Sequence, residues 1–251
     1  RTAASQHLTA VKSAPAAVQI SSTEGTAMRC VRIKFSKSGS MIYISHLDVN
    51  RLMTRAVRRA ELPMWYTEGF NPHPYIAFAL PLPLGQSSES EFMDIRVTGD
   101  ITNDEVVSRL REVMPQGIEI ISAGESVHSS NEIASACYDT KLIFKNEAEA
   151  KEFSEKSRGL LCGTELMAEK MGKKGHRKVL KQVNLIEQIY KADISQSGAE
   201  ANFYLELAAG NTVNLNPDLL FETLAKRTLI EPQNRVIHRI NLKTKDGEIF
   251  C

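Results

Sequence analysis

Strand and helix signals alternate along residues 28–123 in an order that restricts the fold more than any other feature of the sequence. RCVRIKFSK and EFMDIRV each alternate apolar with polar residues, as half-buried strands do. One helix is predicted to begin at a capping box of Ser45 and Asp48, and a second at a capping box of Thr102 and Glu105. With YIAFAL and IEIISA as further strands, the predicted order is β-α-β-β-α-β, the order of a ferredoxin-like fold.

Residues 137–251 repeat this order of elements more loosely. TKLIFK, NFYLELA and RVIHRINLK are predicted strands, NEAEAKEFSEKS is a predicted exposed helix, and TELMAEKM and KVLKQVNLI are predicted extended arms around a basic turn. NPDLLFETLAKR is a predicted helix with Asn216 as its cap and Pro217 at its first position. We therefore predict an α+β protein of two ferredoxin-like halves with antiparallel sheets, residues 28–123 and 137–251, joined by a connector at 124–136.

Composition limits the classes of function. The chain has 251 residues and a formal net charge of +1, so any basic surface must come from local clustering. The cysteines show no CxxC or CxxxCxxC spacing, which argues against zinc or iron–sulfur ligation and favours the reduced thiols of a cytoplasmic protein. We expect no metal or cofactor in this chain, and no membrane span, because no apolar run approaches ~18 residues. Residues 1–27, rich in Ala, Ser and Thr, are predicted to be a flexible tail or interdomain linker, with a transit peptide as the alternative.

Two clusters of basic residues indicate an anionic polymer as a ligand. From Arg29 to Arg59 there are eight basic residues and one acidic residue, and residues 170–181 contain six basic residues and no acidic one. Arginines on one helix face suit bidentate phosphate contacts, and a basic turn with glycines could follow a nucleic-acid backbone. A solvated charged surface is the alternative for each cluster. The candidate RNA- or partner-binding residues in the two clusters are Arg51, Arg55, Arg58, Arg59, Lys173, Lys174, Arg177 and Lys178.

The stretch GFNPHPYIAFALPLPLG, residues 69–85, is uncharged and rich in proline. His73 lies between two of these prolines, and a histidine in such a rigid turn can be held where a proton is transferred. His46 is the second catalytic candidate, although its place beside a helix cap has a structural explanation. The apolar run YIAFAL is typical of a buried central strand. Aromatic residues beside positive charge can stack on bases, or else belong to the core, and those in this region are Tyr43, Trp65, Tyr66, Phe70, Tyr75 and Phe78.

The motifs SHLD, R-x-x-x-R-x-x-RRA, GFNPHP and LPLPLG resemble those of the radical-SAM-linked protein family. This is a bacterial domain of unknown function that occurs alone or fused after a radical S-adenosylmethionine domain. The resemblance covers residues 29–97 and continues over 138–243. It implies a partner protein or fused domain with S-adenosylmethionine and a 4Fe-4S cluster, since this chain lacks CxxxCxxC. The motif positions carry over as one patch without assigned roles: Ser45, His46, Asp48, Arg51, Arg55, Arg58, Arg59, Gly69, Phe70, Asn71, Pro72, His73 and Pro74.

These observations lead to three hypotheses of function. The first is a non-catalytic accessory module of a radical SAM enzyme that binds transfer or ribosomal RNA through the basic helix, the GFNPHP loop and the basic turn. The second is a stand-alone RNA-processing or RNA-modifying enzyme that uses His73 or His46 as its proton carrier. The third is a structural adaptor whose arginine helix docks onto an acidic protein surface.

Overall fold

The computed structural model of the protein describes residues 28–174 and 177–251, with the backbone alone for 171–174 and 177–179. The predicted tail at residues 1–27 lies outside the described residues. In the described part of the chain, four α-helices accompany a mostly antiparallel eight-stranded sheet and a separate two-stranded sheet, so the fold is mixed α+β. No helix in this part is long and apolar enough to cross a membrane.

The elements follow one another along the chain in two similar series. The helices are α1 (His46–Arg59), α2 (Asn103–Val113), α3 (Glu147–Leu161) and α4 (Pro217–Thr228). The strands are β1 (Met28–Lys37), β2 (Ile76–Phe78), β3 (Ser87–Thr98), β4 (Ile118–Gly124), β5 (Ile133–Ile143), β6 (Met167–Lys174), β7 (Arg177–Asn184), β8 (Ile189–Ser197), β9 (Glu200–Ala208) and β10 (Asn234–Thr244).

Each α-helix begins at a side-chain cap, which fixes its first turn. The cap oxygen accepts a backbone N–H that has no partner inside the helix. This confirms the starts predicted for α1, α2 and α4. The caps are Ser45 for α1, Thr102 for α2, Asn146 for α3 and Asn216 for α4.

In the first series the strands lie in the order β4-β1-β3, with β2 added antiparallel to β3. Helices α1 and α2 cover this part of the sheet and share its apolar core. The prediction of a buried central strand in YIAFAL is wrong, because β2 is short and only partly buried. Pro74 and Pro81 flank it, and proline cannot donate to a strand ladder. Before α1, Gly39–Tyr43 forms a 3-10 helix.

In the second series the strands lie in the order β10-β5-β9-β8, each antiparallel to its neighbour. Helices α3 and α4 pack on a second core in which Phe153, Phe203 and Phe221 are almost fully buried. The predicted arms β6 and β7 pair with each other as a hairpin between α3 and β8. Strand β8 follows this hairpin and was not predicted from the sequence.

The two series meet where β3 and β10 pair in parallel, over His238 with Ser87 and Arg239 with Ser88. Beside this short seam the buried Arg239 guanidinium contacts the Glu91 carboxylate, with 3.0 Å between Nε and Oε1. Its Nη2 also donates to the Leu80 carbonyl at 3.1 Å. The seam therefore joins both series into one sheet and places an ion pair inside it.

Candidate functional site

A groove of about 460 Å³ runs beside α1 in the first series. Its volume falls within the range of ~300–1,000 Å³ that is usual for ligand sites. Arginines line one edge and mainly apolar side chains form the floor. The lining residues are Met41, Ile44, Asp48, Arg51, Leu52, Arg55, Arg59 and Pro115.

The arginine edge follows from the apolar pattern of α1. Val49, Met53, Ala56 and Val57 are buried against the first core, so the opposite side of the helix faces solvent. On that side Arg51, Arg55 and Arg59 recur every four residues, which corresponds to a rise of about 6 Å per step. Of the four predicted arginines, these three line the groove, whereas Arg58 is exposed but is not part of the lining.

The three groove arginines differ in the partners that their guanidinium groups contact. Arg51 forms an exposed ion pair with Asp48, with 3.2 Å between Nη1 and Oδ1. Arg59 donates to the Val113 carbonyl at the end of α2. Arg55 has no side-chain hydrogen bond or ion pair with the residues that the structure describes. Arg55 is therefore the groove cation with the most donors available to a ligand.

Asp48 is the acidic residue of the groove. The hydroxyl of Ser45 donates to its Oδ2 at 2.6 Å, and the Asp48 backbone N–H donates to the Ser45 oxygen at 3.2 Å. The hydrogen bond from Ser45 lowers the pKa of the Asp48 carboxyl, and Arg51 lowers it further, while slight desolvation acts in the opposite direction. The carboxylate thus closes one end of the groove with a fixed negative charge, and three arginines lie along the rest.

The groove floor is assembled from three separate segments. Met41 and Ile44 come from the 3-10 helix and its end, Leu52 from α1, and Pro115 from the turn after α2. Gly117 allows the turn after α2 to lie close to Ser38 and Met41. Its φ is +93°, and a Cβ there would lie 2.6 Å from the Ser38 carbonyl oxygen and 3.0 Å from Met41 Cγ. No sequence signal marks the floor, because its residues come together only in the tertiary fold.

The GFNPHP loop forms a separate, braced projection. The Thr67 hydroxyl lies 3.0 Å from His73 Nδ1, and the Thr67 backbone N–H donates to the His73 carbonyl at 2.9 Å. Gly69 adopts a φ of +122°, and the Phe70 side chain beyond it is fully exposed. Asn71 is also exposed. None of these loop residues lines the groove.

An arginine that sequence reasoning missed supports the base of this loop. The Arg96 guanidinium lies 4.2 Å from the ring centroid of Tyr75 and 5.2 Å from that of Trp65. The Trp65 N–H donates to the Arg96 carbonyl at 2.8 Å, which ties the loop to β3. Cation–π contacts of this kind stabilise an aromatic pair, so Trp65 and Tyr75 have a structural role here.

His46 lies at the start of α1, outside the groove lining. Its ring stands edge-on to that of Phe78, with 4.9 Å between the centroids. Desolvation lowers the pKa of His46, and of the charges nearby, Glu91 raises it and Lys37 lowers it. This environment favours the neutral imidazole. His46 and His73 therefore occupy different surroundings, and neither of them lines the groove.

The basic turn belongs to the second series. The backbones of Lys173 and Lys178 are paired, as are those of Lys174 and Arg177, at the tip of the β6–β7 hairpin. The side chains of these four residues lie outside the described part of the structure. The described lining of the groove comes from the first series alone.

The structure thus defines a mixed α+β protein with an arginine-edged groove beside α1. The model of a family described as an uncharacterized protein conserved in bacteria, DUF2344, matches residues 30–217, and the chain belongs to this family. The match includes all of α1, the GFNPHP loop and the hairpin.

Among solved structures the similarities are distant, and no curated protein matches the chain. A chain in the crystal structure of a Cbf5-Nop10-Gar1 complex aligns with a TM-score of 0.43 and 9% identity over 86% of this chain. The present chain spans 50% of the length of that chain. An unknown protein from Galdieria sulphuraria aligns with a TM-score of 0.24 and 8% identity, covering 85% of this chain and 99% of that one. Neither similarity supports an inference about function.

Proposed function

We propose that this protein is a non-catalytic, substrate-handling module that binds RNA and acts with a radical SAM enzyme. The observation that carries the RNA part is the row of Arg51, Arg55 and Arg59 along one edge of the groove. A guanidinium group can donate two parallel hydrogen bonds to one phosphate, and it remains charged at any physiological pH. Since the whole chain has a net charge of only +1, this concentration of cations is a local feature.

The radical SAM part of the proposal rests on the motif resemblance and on the cysteine spacing. Family membership itself identifies an uncharacterized bacterial domain. Cys30, Cys137, Cys162 and Cys251 cannot form a CxxxCxxC motif, so S-adenosylmethionine and the 4Fe-4S cluster would belong to a partner domain or protein. In this arrangement the chain would present the substrate, and the partner would perform the chemistry in the cytoplasm.

The RNA part is tested by binding of labelled transfer and ribosomal RNA at several salt concentrations. Replacing Arg51, Arg55 and Arg59 together by Gln should weaken binding at least about tenfold and flatten the salt dependence, because three phosphate contacts are lost. The matched control replaces three exposed lysines of the second series, and its affinity should stay within about twofold of the wild type. Absence of wild-type binding, or equal loss in both variants, contradicts the proposal. The control lysines are Lys145, Lys151 and Lys226.

The partnership is tested with the coding sequence around this domain. A CxxxCxxC motif in the same or the adjacent reading frame is expected. Its product, reconstituted anaerobically, should co-purify with the chain after nuclease treatment. Retention that depends on intact RNA would instead mean that the two proteins share a substrate without touching each other.

A structural adaptor is the second candidate, and the exposure of Phe70 favours it. The segment 69–76 carries no charged residue, and its tip is braced by the Thr67–His73 contacts. A rigid exposed aromatic residue is typical of an anchor that a partner protein buries. Phe70→Ala should then abolish co-purification with the partner and leave RNA affinity unchanged. The reverse result would assign the loop to RNA.

We also propose that the two series are ferredoxin-like units. In support, β1 to β4 and the strands β5, β8, β9 and β10 each follow the spatial order fourth-first-third-second with antiparallel neighbours. The hairpin β6–β7 is then an insertion in the second unit. Expression of residues 28–128 alone should give a folded domain with dispersed amide resonances, and a disordered fragment would contradict independent units.

A further inference from the structure

We infer that the α1 groove takes an unpaired nucleotide of a single-stranded RNA, with phosphates on the arginine edge and the base on the apolar floor. This inference rests on the proposed RNA binding and goes further by naming the form of the RNA. It follows from three properties of the groove: its two unlike sides, the spacing of its arginines and the charge at its end.

The first property is the contrast between the edge and the floor. A site that binds only phosphates needs cations, and a recessed apolar surface would add nothing to its affinity. Here Met41, Ile44, Leu52 and Pro115 are partly buried and lie behind the arginines. Every base has an apolar face that gains from contact with such a surface. In an RNA duplex the bases are stacked and paired, so a duplex can present its backbone and the edges of its bases to the floor, but not the face of a base.

The second property is the spacing of the cations. Arg51, Arg55 and Arg59 follow one another along the helix axis with a rise of about 6 Å per step. Successive phosphates of an extended single strand are separated by a similar distance. A strand of about three nucleotides can therefore run along α1 with one phosphate near each arginine.

The third property is the fixed charge at one end. Asp48 is ionised and paired with Arg51, so the field there is weaker than at Arg55. Arg59 is tethered to the Val113 carbonyl and stays beside the groove. Phosphate affinity should therefore depend most on Arg55, and the phosphate near Arg51 and Asp48 should be held most weakly.

Three anionic probes separate these contributions: a single-stranded oligoribonucleotide, the same strand annealed to its complement, and inorganic polyphosphate with as many phosphates as the single strand. The single strand should bind about tenfold tighter than either of the others, because only its bases reach the floor. Leu52→Asn should remove most of this advantage and leave polyphosphate binding unchanged. Leu52→Met, which keeps an apolar side chain, should behave like the wild type. Arg55→Gln should weaken all three and reduce the slope of log K against log salt by about 0.7 for the single strand.

The outcomes separate this inference from the function on which it rests. If the full chain binds no RNA of any form, both are wrong. If duplex and single strand bind equally while Arg55→Gln weakens both, RNA binding stands and the unpaired-nucleotide site is wrong. Equal affinity for polyphosphate and single strand also refutes the role of the floor. If Leu52→Asn fails to fold, Met41→Gln on the other side of the floor is the second variant. An unchanged affinity of this variant for the single strand contradicts the inference.

Discussion

Removal of the Glu91 charge should destabilise the protein severely, because it leaves the Arg239 guanidinium buried without a counter-ion. Arg239 is 1% exposed and Glu91 6% exposed at their side chains. Glu91→Gln keeps the shape of the side chain and removes its charge. Breaking a buried pair from one side costs about 3–5 kcal/mol, since the remaining ion has lost its hydration without compensation. That is a large part of the roughly 5–15 kcal/mol by which domains are stable.

Three features of the structure place the expected loss near the lower end of this range. The Leu80 carbonyl still accepts from Arg239 Nη2, and the new amide oxygen can accept a further hydrogen bond. Tyr138 provides another polar contact with Arg239. The double variant Glu91→Leu with Arg239→Met, which removes both charges, should regain most of the stability.

Urea unfolding followed by far-ultraviolet circular dichroism measures these losses. The matched control is Glu200→Gln, which breaks an exposed pair with 2.8 Å between Lys141 Nζ and the Glu200 carboxylate. Exposed pairs contribute at most about 1 kcal/mol, so the control should unfold almost like the wild type. If Glu91→Gln loses no more than the control, the seam pair is effectively hydrated and this reasoning is refuted.

Two further results follow from the surroundings of titratable groups. Desolvation holds the pKa of His46 below its ordinary value, so the unfolded state takes up a proton first and stability should fall as the pH drops below about 6.5. His46→Gln should weaken this dependence in urea titrations between about pH 5 and pH 7, the range in which histidine changes its charge. Among the thiols, buried Cys137 should react with an alkylating reagent only after unfolding, and Cys30 more slowly than Cys162, because desolvation and Asp94 raise the pKa of Cys30.

Each of these results has a clear contrary outcome. A His46→Gln variant with the same pH dependence as the wild type would place the acid sensitivity in another group. Peptide mapping by mass spectrometry resolves the individual thiols. Modification of Cys137 in the native protein at the rate of Cys162 would mean that its strand opens readily.

The sequence predicted the parts of the fold that depend on local signals. Caps such as Asn216 act on the turn that follows them, so the helix starts could be read directly. Strand β8 was missed because its side chains are mostly exposed or partly exposed and give a weak apolar pattern. YIAFAL forms only a short strand, because its apolar residues pack against the two cores and only three of them pair in the sheet. In this case tertiary context outweighs periodicity.

The candidate site likewise has one part that the sequence predicts and one part that it does not. The arginine edge follows from helical spacing, which the sequence contains in full. The floor does not, because Met41 and Pro115 approach each other only after α2 has packed beside α1. Likewise, Arg239 and Glu91 lie 148 positions apart, and their pairing depends on the order of strands in the whole sheet.

The β6–β7 hairpin offers a place where the length of the protein can change without a change of fold. In the described part of the chain, these strands pair with each other and with no strand of the large sheet. One residue added to each arm would lengthen the hairpin by about 3.4 Å and leave the register of the large sheet untouched. A label or a second binding module grafted at the tip should therefore leave the large sheet intact.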